Sequence, residues 1–269
     1  MSSRLVLNSD MAAQAPGAGN AAGAPAGMDL AQAARFLRGG GVIVFPTETF
    51  YGVGCLAAHA DAVARVYQLK RRPVHKPLPL LAASTAQVDE VADLAAMPQG
   101  LVAFWPGPLT VLLPARACLP QALVNAQGLV AVRVTPHPLA AQLAIEAGGA
   151  LTASSANLSG GESVRIPQQL DPALLDALQG MARQMPWTKE CSGQAECVGE
   201  PQTQLPLLIG GPLPAGGLPS TVVEPLGSAQ RGATGGRAGR SAGSTVRLRM
   251  VRAGAVSAAE LVAAGFCVE

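Results

Sequence analysis

The sequence predicts an α/β protein in which helices flank a twisted, mixed sheet. The compact β-branched run at 42–45 is typical of a buried strand, and residues 130–134 are predicted to form a further strand. The stretches at 31–37 and 139–146 are typical of short helices, and the first of them has an amphipathic pattern. Hydrophobic residues make up 49% of the chain and charged residues 13%, so a large buried core is expected and wholesale disorder is excluded.

The predicted elements follow one another in order and end at recognisable residues. The first helix ends at the glycines over 39–41, and Pro46 ends the strand that follows. Asp61 is expected to cap a second helix, which runs to Lys70 and is stopped by Pro73. The remaining predicted elements are a helix over 86–96, strands over 109–113 and 130–134, a helix over 139–146 that ends before Gly148 and Gly149, and a strand over 245–250.

Composition divides the chain into a tail and a single domain. Residues 1–27 are rich in Ala, Gly and Pro and lack the compact apolar block of a signal peptide, so we expect a disordered tail there. Residues 28–269 are expected to form a single domain with insertions at 183–204 and 227–244. No apolar run reaches the roughly 18 residues of a membrane span. We therefore predict a cytoplasmic protein that does not enter a membrane.

Several common kinds of active site are absent from the sequence. The glycines over 39–41 precede a strand and are not followed by Gly-Lys-Ser/Thr, so they form neither a P-loop nor a dinucleotide fingerprint. Only three histidines are present, which gives a serine hydrolase little support. Cys191 and Cys197 are six positions apart without nearby histidines, so reduced thiols are favoured and no metal site is predicted. A net charge of +2 is too small to indicate nucleic-acid binding by itself.

Four polar residues lie in or directly after predicted strands. Thr47, Glu48 and Thr49 follow the first strand, where an ordinary turn and a ligand-binding loop are equally good interpretations. Arg133 alternates with valines in a later strand and belongs to the face opposite theirs. An arginine in that position needs either solvent or an anionic partner, and both alternatives stay open.

Two further segments are suited to binding phosphate. Lys70, Arg72 and Lys76 cluster where prolines stiffen the end of a helix, and such cations can converge on a polyphosphate. A solvated basic patch is the alternative, although the rigid prolines favour the functional interpretation. The loop over 151–161 carries small hydroxyl and amide groups and two glycines, which let the backbone approach a phosphate closely.

Together these segments closely resemble the YrdC/Sua5 family of threonylcarbamoyladenylate synthases. The resemblance covers roughly residues 29–260 and is specific because seven short motifs occur in the family's order. These motifs are Phe45–Gly54, Lys70–Leu78, Trp105–Thr110, Val130–Pro138, Ser155–Gly160, Gly217–Glu224 and Val251–Val256. The chain departs from the family's usual residues at Leu81, Thr135, Ala253 and Ile209.

The resemblance implies a fold, a reaction and partners. The fold is a YrdC-like twisted mixed sheet with flanking helices around a concave basic cavity, of the short type without the C-terminal Sua5 domain. The reaction condenses L-threonine, bicarbonate and ATP into threonylcarbamoyl-AMP and pyrophosphate, for the t6A modification at position 37 of tRNA. The implied partners are these substrates, Mg²⁺ accompanying ATP, the downstream threonylcarbamoyl transferase machinery and tRNA.

The resemblance also implies roles for individual residues. The implied catalytic residues are Lys70, Arg72, Ser155 and Asn157. The implied ATP-binding residues are these four together with Lys76, Ser163 and Arg252. The implied threonine-binding residues are Thr47, Thr49, Arg133, Ala153 and Ser220, with Arg133 pairing with the carboxylate of the amino acid.

Two other functions are alternatives to this synthase. A non-catalytic RNA-binding factor for tRNA or rRNA maturation would use the same concave basic surface. The low net charge and the 3% aromatic content disfavour it, because readers of single-stranded RNA need stacking platforms. Carbamoyl transfer from carbamoyl phosphate occurs in related domains of larger proteins, and the chain lacks their zinc-finger cysteines, which disfavours this reaction.

Overall fold

The computed structural model describes residues 27–158, 161–185, 188–189, 197–198, 204–226 and 246–269. Within these ranges, helices alternate with strands. The helices are α1 (Leu30–Arg38), α2 (Ala60–Lys70), α3 (Thr85–Val91), α4 (Pro138–Ala147), α5 (Pro172–Gln184) and α6 (Ala258–Ala263). The strands are β1 (Ile43–Pro46), β2 (Tyr51–Gly54), β3 (Leu80–Ala82), β4 (Leu109–Pro114), β5 (Leu129–Val134), β6 (Leu151–Thr152), β7 (Ser154–Ser155), β8 (Thr188–Lys189), β9 (Cys197–Val198), β10 (Thr221–Leu226), β11 (Arg247–Arg252) and β12 (Cys267–Val268).

The described strands form a large mixed sheet, a small antiparallel sheet and a short antiparallel pair. The large sheet has the order β12-β11-β10-β4-β5-β3-β6, and its neighbouring pairs alternate between parallel and antiparallel. The small sheet has the order β1-β2-β7, and β8 pairs with β9. The predicted mixed sheet with flanking helices is therefore confirmed.

The chain crosses from the large sheet to the small one at Ala153, which lies between β6 and β7. Thr152 anchors this crossing: its N–H donates to the Cys55 carbonyl (2.8 Å), and its hydroxyl oxygen accepts from the Cys55 N–H (3.0 Å). The backbones approach closely here, because a Cβ at Gly54 would lie 1.7 Å from the Thr152 carbonyl oxygen. Gly54 therefore admits no side chain, and β2 meets β6 backbone to backbone.

Burial on both sides explains the continuous apolar run of β1. Ile43 and Phe45 pack with α1 and α4, whereas Val44 packs into the larger core on the other side. All four residues of β1 are buried. β5 is different: its buried valines belong to the larger core, while Arg133 faces a cavity, as the alternation predicts.

Most of the predicted element boundaries are confirmed. α1 begins after Asp29, whose side chain accepts from the Gln32 N–H at 2.8 Å, and it ends at Gly39. α4 ends at Gly148, which has a left-handed conformation with φ of 84°. β4 and β5 each extend one residue beyond the predicted strands, and β11 begins two residues later than predicted.

Two helix predictions are wrong in detail. Asp61 does not cap α2, because His59 takes the N-cap position without a side-chain hydrogen bond. Asp61 lies in the first turn instead, where a negative charge suits the helix dipole. The helix predicted over 86–96 is shorter: α3 ends at Val91, and Asp93 caps a separate 3-10 turn.

The predicted tail and insertions fall largely outside the described ranges. This is true of residues 1–26 and of the whole insertion over 227–244. The first residues of the insertion predicted over 183–204 belong to α5, which ends at Gln184, and β8 and β9 lie within the remainder. Among the helices described, none is both long and apolar enough to cross a membrane.

Candidate functional site

A cavity of about 260 Å³ lies between the small sheet and the large one. Its walls come from the turn between β1 and β2, from the crossing at Ala153, from β5 and from the end of β11. Most of the predicted site residues line it, namely Thr47, Thr49, Arg72, Arg133, Ala153, Ser155, Ser163, Ser220 and Arg252. The concave basic cavity that the sequence predicts is therefore present.

One threonine shapes the turn between β1 and β2. The Thr47 hydroxyl donates to the Phe50 carbonyl (2.6 Å) and accepts from the N–H groups of Thr49 and Phe50 (both 3.4 Å). Thr47 and Thr49 are buried, and their hydroxyl oxygens are 3.5 Å apart. These bonds hold the turn in one shape beside the cavity. The segment is therefore a buried cavity wall rather than an ordinary surface turn.

Arg133 reaches the cavity from β5 and is almost completely buried. Its Nε donates to Glu48 Oε1 at 2.7 Å, and the two side chains are 5% and 9% exposed. The other carboxylate oxygen of Glu48 accepts from the Thr135 hydroxyl at 2.8 Å. Of the two alternatives for this arginine, solvent exposure is wrong and an anionic partner is confirmed. That partner within the protein is Glu48, which is not among the predicted site residues.

Glu48 is charged despite its burial. Burial raises its pKa, but the Arg133 guanidinium and hydrogen bonds, including those from Thr135 and Arg133, outweigh burial and hold the pKa below 4.5. The unfolded chain therefore takes up this proton at a higher pH than the folded protein does. Glu48 stabilises the fold above about pH 4.5, and this contribution is lost as the pH falls through the lowered pKa.

We expect Glu48→Gln to reduce the acid dependence of the free energy of unfolding. Urea denaturation at a series of pH values from about 6 down to about 3 should give a steeper loss of stability for the unaltered protein than for the variant. The control is Glu90→Gln, which replaces an exposed carboxylate and should keep the slope of the unaltered protein. Equal slopes for the Glu48 variant and the unaltered protein would contradict this prediction.

Lys70 holds the segment around Ser155 in place. Its Nζ donates to the Ser155 carbonyl (2.6 Å), to the Asn157 carbonyl and to Asn157 Oδ1 (2.8 Å). Asn157 Oδ1 also accepts from the Ser155 hydroxyl at 2.6 Å. Burial, and then the nearby Arg72, lower the pKa of Lys70 to about 8. Lys70 therefore acts on the cavity wall from behind and does not itself line the cavity.

The loop after α2 holds Arg72 at the cavity. Arg71 turns the chain out of the helix in a left-handed conformation with φ of 45°. Arg72 Nε donates to the Lys76 carbonyl (2.7 Å), and one terminal nitrogen donates to the Pro77 carbonyl (3.2 Å). Lys76 contributes its carbonyl to this loop, whereas its side chain is exposed and does not line the cavity.

Arg252 completes the group of cavity arginines and is bonded to Ser220. Its Nε and one terminal nitrogen donate to the Ser220 carbonyl (3.1 and 2.6 Å), and the same terminal nitrogen donates to Ser220 Oγ (2.9 Å). The Thr110 hydroxyl donates to Ser220 Oγ from the other side (3.0 Å). Burial, followed by the charges of Arg133 and Arg72, lowers the pKa of Arg252. These guanidinium groups therefore share one electrostatic environment, which favours anionic ligands.

A second cavity, of about 490 Å³, shares Ser163 with the first one. Asn157 lines this second cavity rather than the first, and its Nδ2 donates to the Gly161 carbonyl. The structure thus brings Lys70, Arg72, Ser155 and Asn157 into one region, although they do not all line the same cavity. Two predicted site residues line neither cavity: Lys70, which is bonded behind the wall, and Lys76, whose side chain lies on an exposed loop.

The segment over 210–217 is attached to the turn that carries Thr49. The N–H groups of Ala215 and Gly216 donate to the carbonyls of Glu48 (3.2 Å) and Thr49 (2.8 Å). Pairs of glycines at both ends of the segment have positive φ values between 68° and 131°. Between these pairs, the Leu213 side chain is 60% exposed. Main-chain contacts therefore hold this segment against the cavity turn.

Glu48, Thr135 and Thr110 join the site only through tertiary contacts. Glu48 is bonded to Arg133, Thr135 is bonded to Glu48, and Thr110 is bonded to Ser220. A local signal existed for Glu48, which stands between two predicted residues, whereas nothing in the sequence near Thr110 points to Ser220. In the described ranges, no group of three or more His, Cys, Asp or Glu side chains is arranged to hold a metal ion.

The chain is similar in sequence to proteins of known name. A protein of Methylococcus capsulatus named threonylcarbamoyl-AMP synthase is 45% identical over 146 residues, which are 54% of this chain and 78% of that protein. A protein of the same name from Stenotrophomonas maltophilia is 40% identical over 158 residues, covering 57% of this chain and 85% of the relative.

Solved structures have the same fold. Sua5 of P. abyssi complexed with L-threonine superposes with a TM-score of 0.62 at 25% identity, and the match covers 89% of this chain. The chain spans 58% of the length of that Sua5 chain. YciO of E. coli, at 22% identity and a TM-score of 0.53, shares the fold over 72% of this chain and 82% of its own.

A sequence model of the Sua5/YciO/YrdC family, described as "Telomere recombination", matches residues 35–193. This match covers more than half of the chain and includes most of the cavity residues described above. The mixed sheet with flanking helices is the fold that this chain shares with its solved neighbours. The chain therefore belongs to the Sua5/YciO/YrdC family.

Proposed function

We propose that this protein is a threonylcarbamoyl-AMP synthase, which condenses L-threonine, bicarbonate and ATP and releases pyrophosphate. One observation carries the proposal: a single cavity brings Arg72, Arg133 and Arg252 together beside the hydroxyl groups of Thr47 and Thr49. Relatives at 45% and 40% identity bear this name, and the Sua5 structure with L-threonine supports an amino-acid substrate.

The proposed reaction forms an N–C bond and then a P–O bond. Bicarbonate takes up a proton and loses water to give CO2. The neutral amine of threonine attacks the carbon of CO2, and the nitrogen releases a proton, which gives an N-carboxylate. An oxygen of that carboxylate then attacks the α-phosphorus of ATP, and pyrophosphate leaves with the electron pair of the broken P–O bond. No enzyme nucleophile is needed, so the protein acts by positioning the reactants and neutralising charge.

The residues divide into a threonine side and a nucleotide side. Arg133 binds the amino-acid carboxylate, and the other threonine-side residues are Thr47, Thr49, Ala153 and Ser220. Arg72 and Arg252 face the phosphates, where their charge offsets the charge that builds up on the leaving group. The other nucleotide-side residues are Lys70, Lys76, Ser155, Asn157 and Ser163.

Lys70 has a particular role in this assignment. An ammonium group has three N–H donors, and Ser155 and Asn157 supply three acceptors within hydrogen-bond reach of Lys70 Nζ. Lys70 therefore acts on the nucleotide through the Ser155–Asn157 segment, by holding it where the phosphates bind. Lys76, whose side chain is exposed, is assigned to the solvent side of the nucleotide.

The donor set around the cavity does not form a cage for Mg²⁺. Among the described residues, no carboxylate side chain lines the cavity and no cluster of three metal-ligating groups is present. Mg²⁺ commonly binds through substrate phosphates with few protein ligands. We therefore treat Mg²⁺ as part of the nucleotide substrate and assign it no step of the reaction.

We further propose that residues 28–269 act as a single domain. The product would pass to the threonylcarbamoyl transferase machinery that modifies position 37 of tRNA. The basic loop over 227–244 makes tRNA a further candidate partner. Because this modification acts on tRNA, we assign the protein to the cytoplasm.

The test is an assay of pyrophosphate release by the purified protein without RNA. We expect release from ATP that requires both L-threonine and bicarbonate, with threonylcarbamoyl-AMP identified by mass spectrometry. Omission of either substrate is the control, because ATP hydrolysis by a contaminant would not depend on them. Absence of this dependence would contradict the proposed function, and RNA binding without turnover would favour the maturation-factor alternative.

A further inference from the structure

The carboxylate of Glu48 lies behind Arg133 rather than in front of it. Arg133 lines the cavity, whereas Glu48 is not among the lining residues and its side chain is 9% exposed. Glu48 therefore cannot touch a ligand in the cavity without displacing the arginine. Its only described side-chain partners are Arg133 and Thr135, each bonded to a different carboxylate oxygen.

The bond to Glu48 determines which part of the guanidinium faces the cavity. A guanidinium has five N–H donors, one on Nε and four on the two terminal nitrogens. Glu48 takes the Nε donor at 2.7 Å. Among the described residues, the terminal nitrogens of Arg133 make no hydrogen bond. No side-chain nitrogen or oxygen in the described ranges is both fully buried and without a hydrogen-bond partner. The terminal nitrogens therefore retain contact with the open space of the cavity.

The second oxygen of Glu48 fixes the carboxylate itself. The Thr135 hydroxyl donates to it at 2.8 Å, and the same hydroxyl oxygen accepts from the His137 N–H at 3.1 Å. The Glu48 backbone is held as well, because its carbonyl accepts from the Ala215 N–H at 3.2 Å. Thr135 and His137 are buried, so this chain of bonds is protected from water.

We propose that Glu48, held by Thr135, is a positioning residue that orients Arg133 so that its two terminal nitrogens form an end-on fork for the carboxylate of the amino-acid substrate. Planar forks of this kind bind a carboxylate through two parallel hydrogen bonds. This inference rests on the proposed function, since it assumes an amino acid on the threonine side of the cavity.

Charge and geometry make opposite predictions for Glu48. The negative charge of Glu48 repels the carboxylate of a bound amino acid, so charge alone would favour its removal. The position of its two oxygens, in contrast, orients the fork. Glu48→Gln keeps the length of the side chain and an acceptor for Arg133 but removes the charge. Glu48→Asp keeps the charge but is one methylene too short to reach both Arg133 and Thr135.

The experiment compares these two variants by calorimetric titration with L-threonine and by the KM values for L-threonine and ATP. We expect Glu48→Asp to raise the Kd and the KM for L-threonine about tenfold, which is the effect of losing one well-placed charge-assisted hydrogen bond. We expect Glu48→Gln to change them by less than about threefold. The KM for ATP should stay within about twofold of the unaltered value in both variants.

A matched control and a second pair of variants keep the test decisive. Glu224→Gln removes a carboxylate that is paired with Arg249 outside the cavity, and it should leave both KM values unchanged. Thr135→Val removes the hydroxyl that holds Glu48 and should weaken L-threonine binding, whereas Thr135→Ser keeps the hydroxyl and should restore it. This second pair decides the question if Glu48→Asp does not fold.

The outcomes separate this inference from the proposed function. A Gln variant weakened as much as the Asp variant, or a Thr135→Val variant that binds L-threonine normally, would overturn the positioning role. Binding of L-threonine with the expected variant pattern but no pyrophosphate release would overturn the proposed function alone. If the unaltered protein does not bind L-threonine, both are overturned.

Discussion

Replacing Arg72 with alanine is expected to lower the turnover number for threonylcarbamoyl-AMP synthesis by about 10²–10³-fold while the fold stays intact. Arg72 lines the cavity, and hydrogen bonds to the carbonyls of Lys76 and Pro77 hold its guanidinium in place before a substrate binds. Such a preorganised cation stabilises the developing pyrophosphate without reorganisation during the reaction. Arg72 is half-buried in a loop, so water can replace its side chain and the core is not disturbed.

The measurement is pyrophosphate release at saturating L-threonine, bicarbonate and ATP, with thermal melting as the check of folding. Arg71→Asn is the matched control, because Arg71 is exposed, does not line the cavity and has a left-handed φ of 45° that asparagine tolerates. Arg71→Asn also removes one positive charge, so it separates the local role of Arg72 from the effect of a change in net charge. Turnover close to that of the unaltered protein in Arg72→Ala would refute the role of this arginine.

Lys70→Met is expected to affect both stability and activity. Methionine has a similar length but no donor, so the carbonyls of Ser155 and Asn157 and the Asn157 side chain lose their bonds to Nζ. Leaving a buried acceptor unpaired costs about 1–3 kcal/mol, and these acceptors are half-buried, so we expect the free energy of unfolding to fall by about 3 kcal/mol in total. Because the phosphate-facing segment would no longer be fixed, turnover should fall by roughly two orders of magnitude.

Urea denaturation and the pyrophosphate assay test this prediction together. Lys76→Met is the control for stability, because its side chain is exposed and its carbonyl still accepts from Arg72 in the variant. We expect the free energy of unfolding of Lys76→Met to be within about 0.5 kcal/mol of that of the unaltered protein. Normal stability in Lys70→Met would show that the bonds of Nζ do not hold the segment.

The sequence predicted the parts of the fold that depend on local patterns. The buried run of β1, the valine face of β5 and the glycine that ends α4 were all predictable, because strand alternation and helix capping involve neighbouring residues. The start of α2 was not, because His59 occupies the N-cap without a side-chain bond that a capping rule would detect. The crossing between sheets at Ala153 has no local signature either.

The sequence predicted most of the residues of the candidate site, but it did not predict which partners all of their side chains contact. The sequence left Arg133 open between solvent and an anion, since its partner Glu48 is 85 positions away. It suggested that Lys70 faces phosphate, whereas the ammonium group is bonded to the segment 85–87 positions later in the chain. Contacts of this range depend on the packing of both sheets, which no short motif encodes.

The attachment of the 210–217 segment has a consequence for natural variation. Its two hydrogen bonds to the cavity turn join backbone N–H groups of the segment to backbone carbonyls of the turn. Every residue except proline has a backbone N–H that can donate such a bond. The central side chains, such as the exposed Leu213, can therefore be exchanged without loss of these two bonds. Most side chains would be strained at the glycines with positive φ, so the shape of this segment depends on chain conformation more than on residue identity.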